Sequence, residues 1–324
     1  MSVAPKASIV VRTFNEAAHI GQLLYGISQQ DFRDYEVIVV DSGSTDSTVQ
    51  IARSYGAQIL TIPKSEFSFG RSLNRGCEGA KGEFIVIVSG HVYPSYKTWL
   101  SRLLEPFADP QVAVSFGKQR GDHRTKFSEH VLFGQWFPDA EAGAQSTYFC
   151  NNANCAIRRS DWLSTPYDEQ LTGLEDLKFA KNLFERGRKV FYSSEATIVH
   201  VHEESWKQIR RRYMREALAM KAIDPTMNLS LAKFLILLFR HCLGDLSLAT
   251  RQKILLREFG DILGFRFNQL WGTFLGYHRH GEVTAEMKKR FYYPAKPVAA
   301  PDESSEAKYA INYMHETRSS EQGG

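Results

Sequence analysis

Residues 35–48 read YEVIVVDSGSTDST: a β-branched run closing on an aspartate and a Ser/Gly/Thr turn, with a helical stretch following over 47–55. The same rhythm lies on both sides of it. Upstream, ASIVVR at 7–12 precedes a helical pattern over 17–29. Downstream come a strand at 57–61, a helix at 70–80, and EFIVIVS at 83–89, a continuous apolar run of the kind buried on both faces of a sheet. Strand and helix alternating in this way predict an α/β fold, a mostly parallel mixed sheet of Rossmann-like type flanked by helices.

After residue 89 the rhythm changes. A helix is expected at 96–106 and a strand at 112–118, then a long polar stretch of poor regularity over 119–143, then a strand–loop–strand at 146–158. An acidic turn leads into a helix at 174–186, followed by strands at 190–192 and 197–202. Residues 206–290 read as helical throughout, and the Pro, Ala, Ser, Glu and Gly composition beyond 294 predicts a mobile tail. The expected organisation is an α/β domain over 1–205, a helical region over 206–293 and a flexible tail over 294–324.

Composition narrows the function classes. At 324 residues, 43% hydrophobic and 23% charged, the chain is neither disordered nor low in complexity. Its longest strongly apolar stretch, around 234–239, is far short of the roughly 20 residues of a membrane-spanning helix. The N-terminus enters its first strand without a basic leader or cleavage site, so a cytoplasmic protein is expected, and the four cysteines read as reduced thiols. Net charge is −3 over 1–205, +10 over 206–296 and −3 over 297–324. A basic segment suits nucleic acid, an anionic membrane surface or a phosphorylated ligand, and no nucleic-acid recognition motif is present. Leu, Phe and Trp at helical spacing over 229–276 fit helices lying on the inner face of the cell membrane, although packing on the α/β domain or on a second subunit is the more common cause of such a pattern.

In an open parallel sheet, ligands bind beyond the carboxyl ends of the strands, which places Thr13, Asn15, Glu16, Asp41, Ser42 and Ser44 around one crevice. Acidic groups there suit a uracil edge or ribose hydroxyls. Asn15 and Asp46 are also explained as helix caps, Asp41 less easily. Neither GxGxxG nor GxxxxGK[ST] occurs.

Several ordered motifs then extend the reading: RTFNEAAHI at 12–20, VVDSGSTDST at 39–48, GRSLNRG at 70–76, AKGEFIVIVSG at 80–90, NNANCAIRRSDW at 151–162, LTGLEDLKFAKNLFERGRKV at 171–190 and TIVHVHEESW at 197–206. In this order and spacing the chain resembles family-two glycosyltransferases with a GT-A fold, of the bacterial surface-polysaccharide type. The resemblance implies inverting transfer of a sugar from a nucleotide sugar, with a UDP-sugar the expected donor, to a glycan or lipid-linked acceptor in capsule or related polysaccharide synthesis. It implies Asp176 as catalytic base with Glu175 beside it, and donor contacts from Thr13, Asn15, Glu16, Asp41, Ser44, Arg71, Asn74, Ser89, Gly90 and Asn152. Arg211 and Arg212, in WKQIRRRYMR, loosely match a Gln-x-x-Arg-Trp element that would hold the diphosphate. A rival on the same fold is a non-catalytic glycan- or nucleotide-sugar-binding subunit.

The chain departs from the family where an Asp-x-Asp normally closes the fourth strand: it has Ser89-Gly90-His91. Imidazole is a competent ligand for manganese or zinc and a poor one for magnesium. The resemblance implies a further His from a later strand, and His200 and His202, two apart in a strand and so on one side, each offer a ligand that completes a metal site with His91. A divalent metal, Mn2+ rather than Mg2+, is therefore the expected cofactor. The alternative is a metal-free site in which His91 hydrogen-bonds the diphosphate directly.

Overall fold

The computed structural model describes residues 4–139, 142–279 and 310–313. The first half holds β1 (Ala7–Thr13), α1 (Ile20–Ser28), β2 (Tyr35–Asp41), α2 (Thr48–Ser54), β3 (Gln58–Thr61), α3 (Phe69–Gly79) and β4 (Phe84–Ser89), in the strand–helix alternation read from the sequence. β1 to β4 are parallel in the order β3-β2-β1-β4. Their β-branched residues alternate between two cores. Ile9 and Val11 of β1 meet Leu23, Leu24 and Ile27 of α1, while Val10 faces the other way toward Leu73 and Cys77 of α3.

The second half completes a mixed sheet. It comprises β5 (Val92–Pro94), α4 (Trp99–Leu104) with a 3-10 turn at Glu105–Ala108, β6 (Val112–Arg120), α5 (Phe127–Trp136), the two-residue β7 (Gly143–Ala144), β8 (Asn154–Arg158), α6 (Arg159–Ser164), α7 (Glu175–Phe184) and β9 (Lys189–His200). β8 enters antiparallel beside β4, and β6, β9 and β5 continue the sheet.

Four expectations need correction here. The stretch 119–143 contains a helix, α5, and 146–150 is not a strand. The two strands expected at 190–192 and 197–202 are one element, β9, bulged between Ser193 and Ile198 where two residues of β6 span five of β9. Past the bulge β9 also pairs with β5, setting Val92 opposite His200, and the Val201 amide donates to the His91 carbonyl at 3.1 Å. Finally, α1 begins at Ile20 rather than 17, because Asn15 occupies the left-handed region at φ 53 and the chain makes a turn before the helix.

Residues 206–278 form three helices, α8 (Trp206–Ile223), α9 (Leu231–Arg251) and α10 (Leu255–His278). α10 lies close along α8: a Cβ at Gly276 would sit 2.5 Å from the Met214 carbonyl oxygen, so only glycine permits the approach. The group is anchored by a buried bidentate pair, Arg266 on α10 to Asp245 on α9 at 2.7 and 2.9 Å, with the Ser128 hydroxyl of α5 donating to the same carboxylate at 2.5 Å. Of the expected tail, 310–313 run against β5, the Ile311 amide donating to Ser95 and the Tyr313 hydroxyl to Pro94. The remainder of 294–324 lies outside the described residues, as does the helix expected over 280–290.

Candidate active site

The carboxyl ends of β1, β2 and β4 open on one crevice. Asp41 ends β2, and its carboxylate accepts from the amides of Gly43 and Ser44 and from the Ser44 hydroxyl, so much of its polarity shapes its own turn. Asn15 staples that turn to the end of β1: its amide donates to Ser44 Oγ at 2.8 Å, and its side-chain oxygen accepts from the Thr45 amide at 2.8 Å. Gly90, between β4 and β5, leaves no room for a side chain, since a Cβ would lie 2.9 Å from Glu16 Cγ and 3.1 Å from Thr13 Oγ1. Thr13 Oγ1 is buried and makes no hydrogen bond among the described residues, which fits a donor or acceptor reserved for a ligand.

The three histidines gather at one edge of this crevice. One ring nitrogen each of His91, His200 and His202 lies within 4.8 Å of the others, and the Nε2 atoms of His200 and His202 are 3.0 Å apart. Each Nδ1 is engaged from outside: His91 by Glu16 at 3.1 Å, His200 by Gln119 at 2.8 Å, His202 by Glu129 at 2.7 Å. Outer partners on Nδ1 leave Nε2 of each ring as the donor to a cation, the arrangement that orients histidine ligands in metal sites. Burial, with the neighbouring rings, holds the His200 pKa well below its usual value, so it presents a neutral ring. Burial opposes ionisation of Glu129, yet Arg212 and His202 bring its pKa down to about 2, and it stays a carboxylate. The donor set fits a divalent cation of the manganese or zinc kind.

Across the crevice, α7 begins at Glu175 and Asp176, both buried. Leu174 before them is held at φ 53, a strained conformation for leucine that the surrounding structure must enforce. Glu175 accepts from Arg12, near the end of β1, at 3.3 Å. Asp176 accepts from the Asn152 amide at 2.9 Å and from the Leu177 amide at 2.8 Å. Burial, reinforced by the Glu175 charge, outweighs those two bonds and Arg12 and pushes the Asp176 carboxyl up to about 7. Beside it the Asn152 side-chain amide is buried, with neither polar atom hydrogen-bonded among the described residues. A carboxyl poised near neutrality next to an amide open to hydroxyl groups is equipped to take a proton from an alcohol.

The sequence model of glycosyl transferase family 2 matches residues 8–163, the region that supplies most of this crevice. Over that stretch, just under half of its length, the chain is similar to family-2 glycosyltransferases. It is 27% identical over 222 residues to the O-antigen chain rhamnosyltransferase WbaN of Salmonella anatum, covering 64% of this chain and 70% of that one. Its fold is similar to that of the mannosyltransferase PcManGT from Pyrobaculum calidifontis, solved with GDP-Man and Mn2+, at TM-score 0.57 and 19% identity over 90% of this chain and 88% of that one. It is similar also to Staphylococcus aureus TarS 1–349, solved with UDP-GlcNAc, at TM-score 0.54 and 19% identity over 88% and 91% of the two chains. These similarities establish the GT-A fold.

Within this site some residues expected at the donor are committed elsewhere. Asn74 is buried, and its amide binds the Tyr167 backbone on both sides, the Trp162 indole and Glu169, so it locks the segment after β8 rather than facing a ligand. Arg71 is half exposed, with Glu66 at 3.5 Å and Glu169 at 3.9 Å. Arg212 bridges Glu129 and Glu204, each at 2.6 Å, and so supports the histidine group instead of presenting its guanidinium to a diphosphate. Arg211 is partly exposed on α8, and Ser89 closes β4 beside Arg12 of β1. Sequence reasoning missed Arg12, Gln119 and Glu129. Glu129 lies in the stretch of poor regularity, and Phe127, Val131, Leu132 and Phe133 of the helix over Phe127–Trp136 are the signal available for it.

Proposed function

We propose that this protein is a glycosyltransferase that moves a sugar, with inversion, from a nucleoside-diphosphate sugar to a hydroxyl of a glycan or lipid-linked acceptor in bacterial surface-polysaccharide synthesis, with a UDP-sugar as the donor. The observation that carries this reading is Asp176, a buried carboxyl raised to about 7 at the mouth of the crevice formed by β1, β2 and β4. Thr13, Asp41 and Gly90 bound the nucleotide side, and Asn152 offers its amide to sugar or acceptor hydroxyls. Asp176 takes the acceptor proton as the acceptor oxygen attacks the anomeric carbon, and the bond from that carbon to the diphosphate breaks with its electron pair leaving on the nucleotide. Glu175, tied to Arg12, stands beside Asp176 and helps to raise its carboxyl, which sustains the basicity of Asp176.

His91, His200 and His202 would hold a divalent cation, which supplies positive charge to the donor diphosphate. Glu16, Gln119 and Glu129 fix the rings that hold it. The relatives point the same way: PcManGT was solved with GDP-Man and Mn2+, and the name of WbaN places it in O-antigen synthesis. Thermal-shift titrations with UDP-, GDP- and dTDP-sugars test the donor, because a ligand that binds only the native state raises its stability. A shift with UDP-sugars but not the others is expected, and none with any nucleotide sugar would overturn the reading.

The cation has its own expected result. Manganese should strengthen nucleotide binding, with magnesium much less effective because the donors are imidazoles. His91→Ala should remove the manganese dependence measured by calorimetric titration. Equal affinity in manganese and in chelator for the unmodified protein would instead assign His91 to direct contact with the diphosphate.

A further inference from the structure

The helical region carries a feature that sugar transfer does not use. On α9 the side chains of Leu235, Ile236, Phe239 and Leu243 are 50–67% exposed, and on α10 Leu256 is 98% and Phe259 49% exposed. Leu235, Phe239 and Leu243 recur every four residues, which sets them along one side of α9. An apolar face of this extent on consecutive helices marks a contact surface.

Charge identifies the partner. Lys233, Arg240, Arg251 and Lys253 are exposed on α9 and the turn that follows it. From 225 to 261 the sequence holds three acidic residues, Asp245 buried against Arg266, Glu258 paired with Arg257 and Asp261 facing Lys126, so each has a cationic partner within the chain. A two-fold contact with a second copy through this face would bring the four cations toward four of the same sign. An anionic bilayer meets both needs: acyl chains accept the apolar side chains, and headgroups accept the cations. Among the described residues no helix is long and apolar enough to cross a membrane, so the helices lie on it.

We propose that the exposed face of α9 and α10 docks this enzyme on an anionic lipid surface. The inference is independent of which sugar is transferred, so failure of the donor reading would leave it standing. In a flotation assay the full chain should bind vesicles containing about 30% phosphatidylglycerol and bind neutral phosphatidylcholine vesicles at least about tenfold more weakly, since each Lys or Arg near such a surface is worth roughly fivefold. Binding should fall as salt rises from about 0.05 to about 0.5 M. The combined variant Ile236→Ser, Phe239→Ser and Leu256→Ser should lose about tenfold or more of the binding while keeping its far-UV dichroism and its thermal shift with donor nucleotide. The proposal is overturned if the full chain does not float with anionic vesicles, whether a second copy seen by light scattering or residues 280–309 occupy the face. Unchanged binding by the combined variant would equally overturn it.

Discussion

Asp176→Asn is expected to lower sugar transfer by about 10²–10⁴, the usual worth of a general base, while donor-nucleotide affinity stays nearly unchanged. The amide keeps the shape of the carboxyl and one accepting oxygen, but it cannot take the acceptor proton. One of the two backbone amides now bonded to Asp176, from Asn152 and Leu177, would lose its acceptor at a cost of about 1–3 kcal/mol, so thermal unfolding is measured beside activity. The pH profile gives a second readout. The carboxyl lies near 7 under burial and the charge of Glu175, with Arg12 opposing and the thiol of Cys150 packed nearby. A base works only when ionised, so transfer should rise with pH through about 7 and fall as the carboxyl is protonated below it. In the variant that limb should vanish. Full activity of Asp176→Asn, or a loss of nucleotide affinity as severe as that of Asp41→Asn, would remove Asp176 from the role of base.

How far the sequence could be read depended on whether a feature is local. β1, β2 and β4 are legible because each is a run rich in β-branched residues, buried on both faces in β1, in β4 and in the second half of β2, and bounded by turn residues a few positions away. β9 was read as two strands, since its continuity through the bulge at 194–197 exists only in its pairing with β6. α5 was missed for a related reason: it buries Ser128 and Glu129 beside Leu132 and Phe133, so polar residues occupy inward positions and the helical periodicity is blurred. The site divides likewise. The period of a strand places His200 and His202 on one side, and the residue after Gly90 brings in His91, but nothing local to 119 or 129 shows that Gln119 and Glu129 reach these rings from other elements. Asn74 and Arg212 illustrate the converse. A motif shows which residue type stands at a position, and only the fold shows that Asn74 binds the chain at Tyr167 or that Arg212 is held between two carboxylates.

The Asp245–Arg266 pair sets the other large expectation. Arg266 is fully buried, with Asp245 gripping two of its nitrogens and Gln269 a third at 2.9 Å. Asp245→Ala leaves a guanidinium charge buried without its counter-ion, which should cost about 3–5 kcal/mol of stability. Removing both charges is different in kind. Asp245→Leu combined with Arg266→Leu replaces the pair by apolar groups, and because desolvating two ions offsets much of their attraction, most of the lost stability should return. The location makes the effect reach the site. Asp245 also holds Ser128 on α5, and the next residue, Glu129, holds His202, so loosening this joint should weaken manganese-dependent nucleotide binding as well as lower the unfolding midpoint. Denaturant unfolding of the three proteins, followed with nucleotide titrations in manganese, reads both quantities. If Asp245→Ala unfolds at the same midpoint as the parent, the pair does not join the helical region to the sheet, and the link from α9 through α5 to the histidines carries no energy.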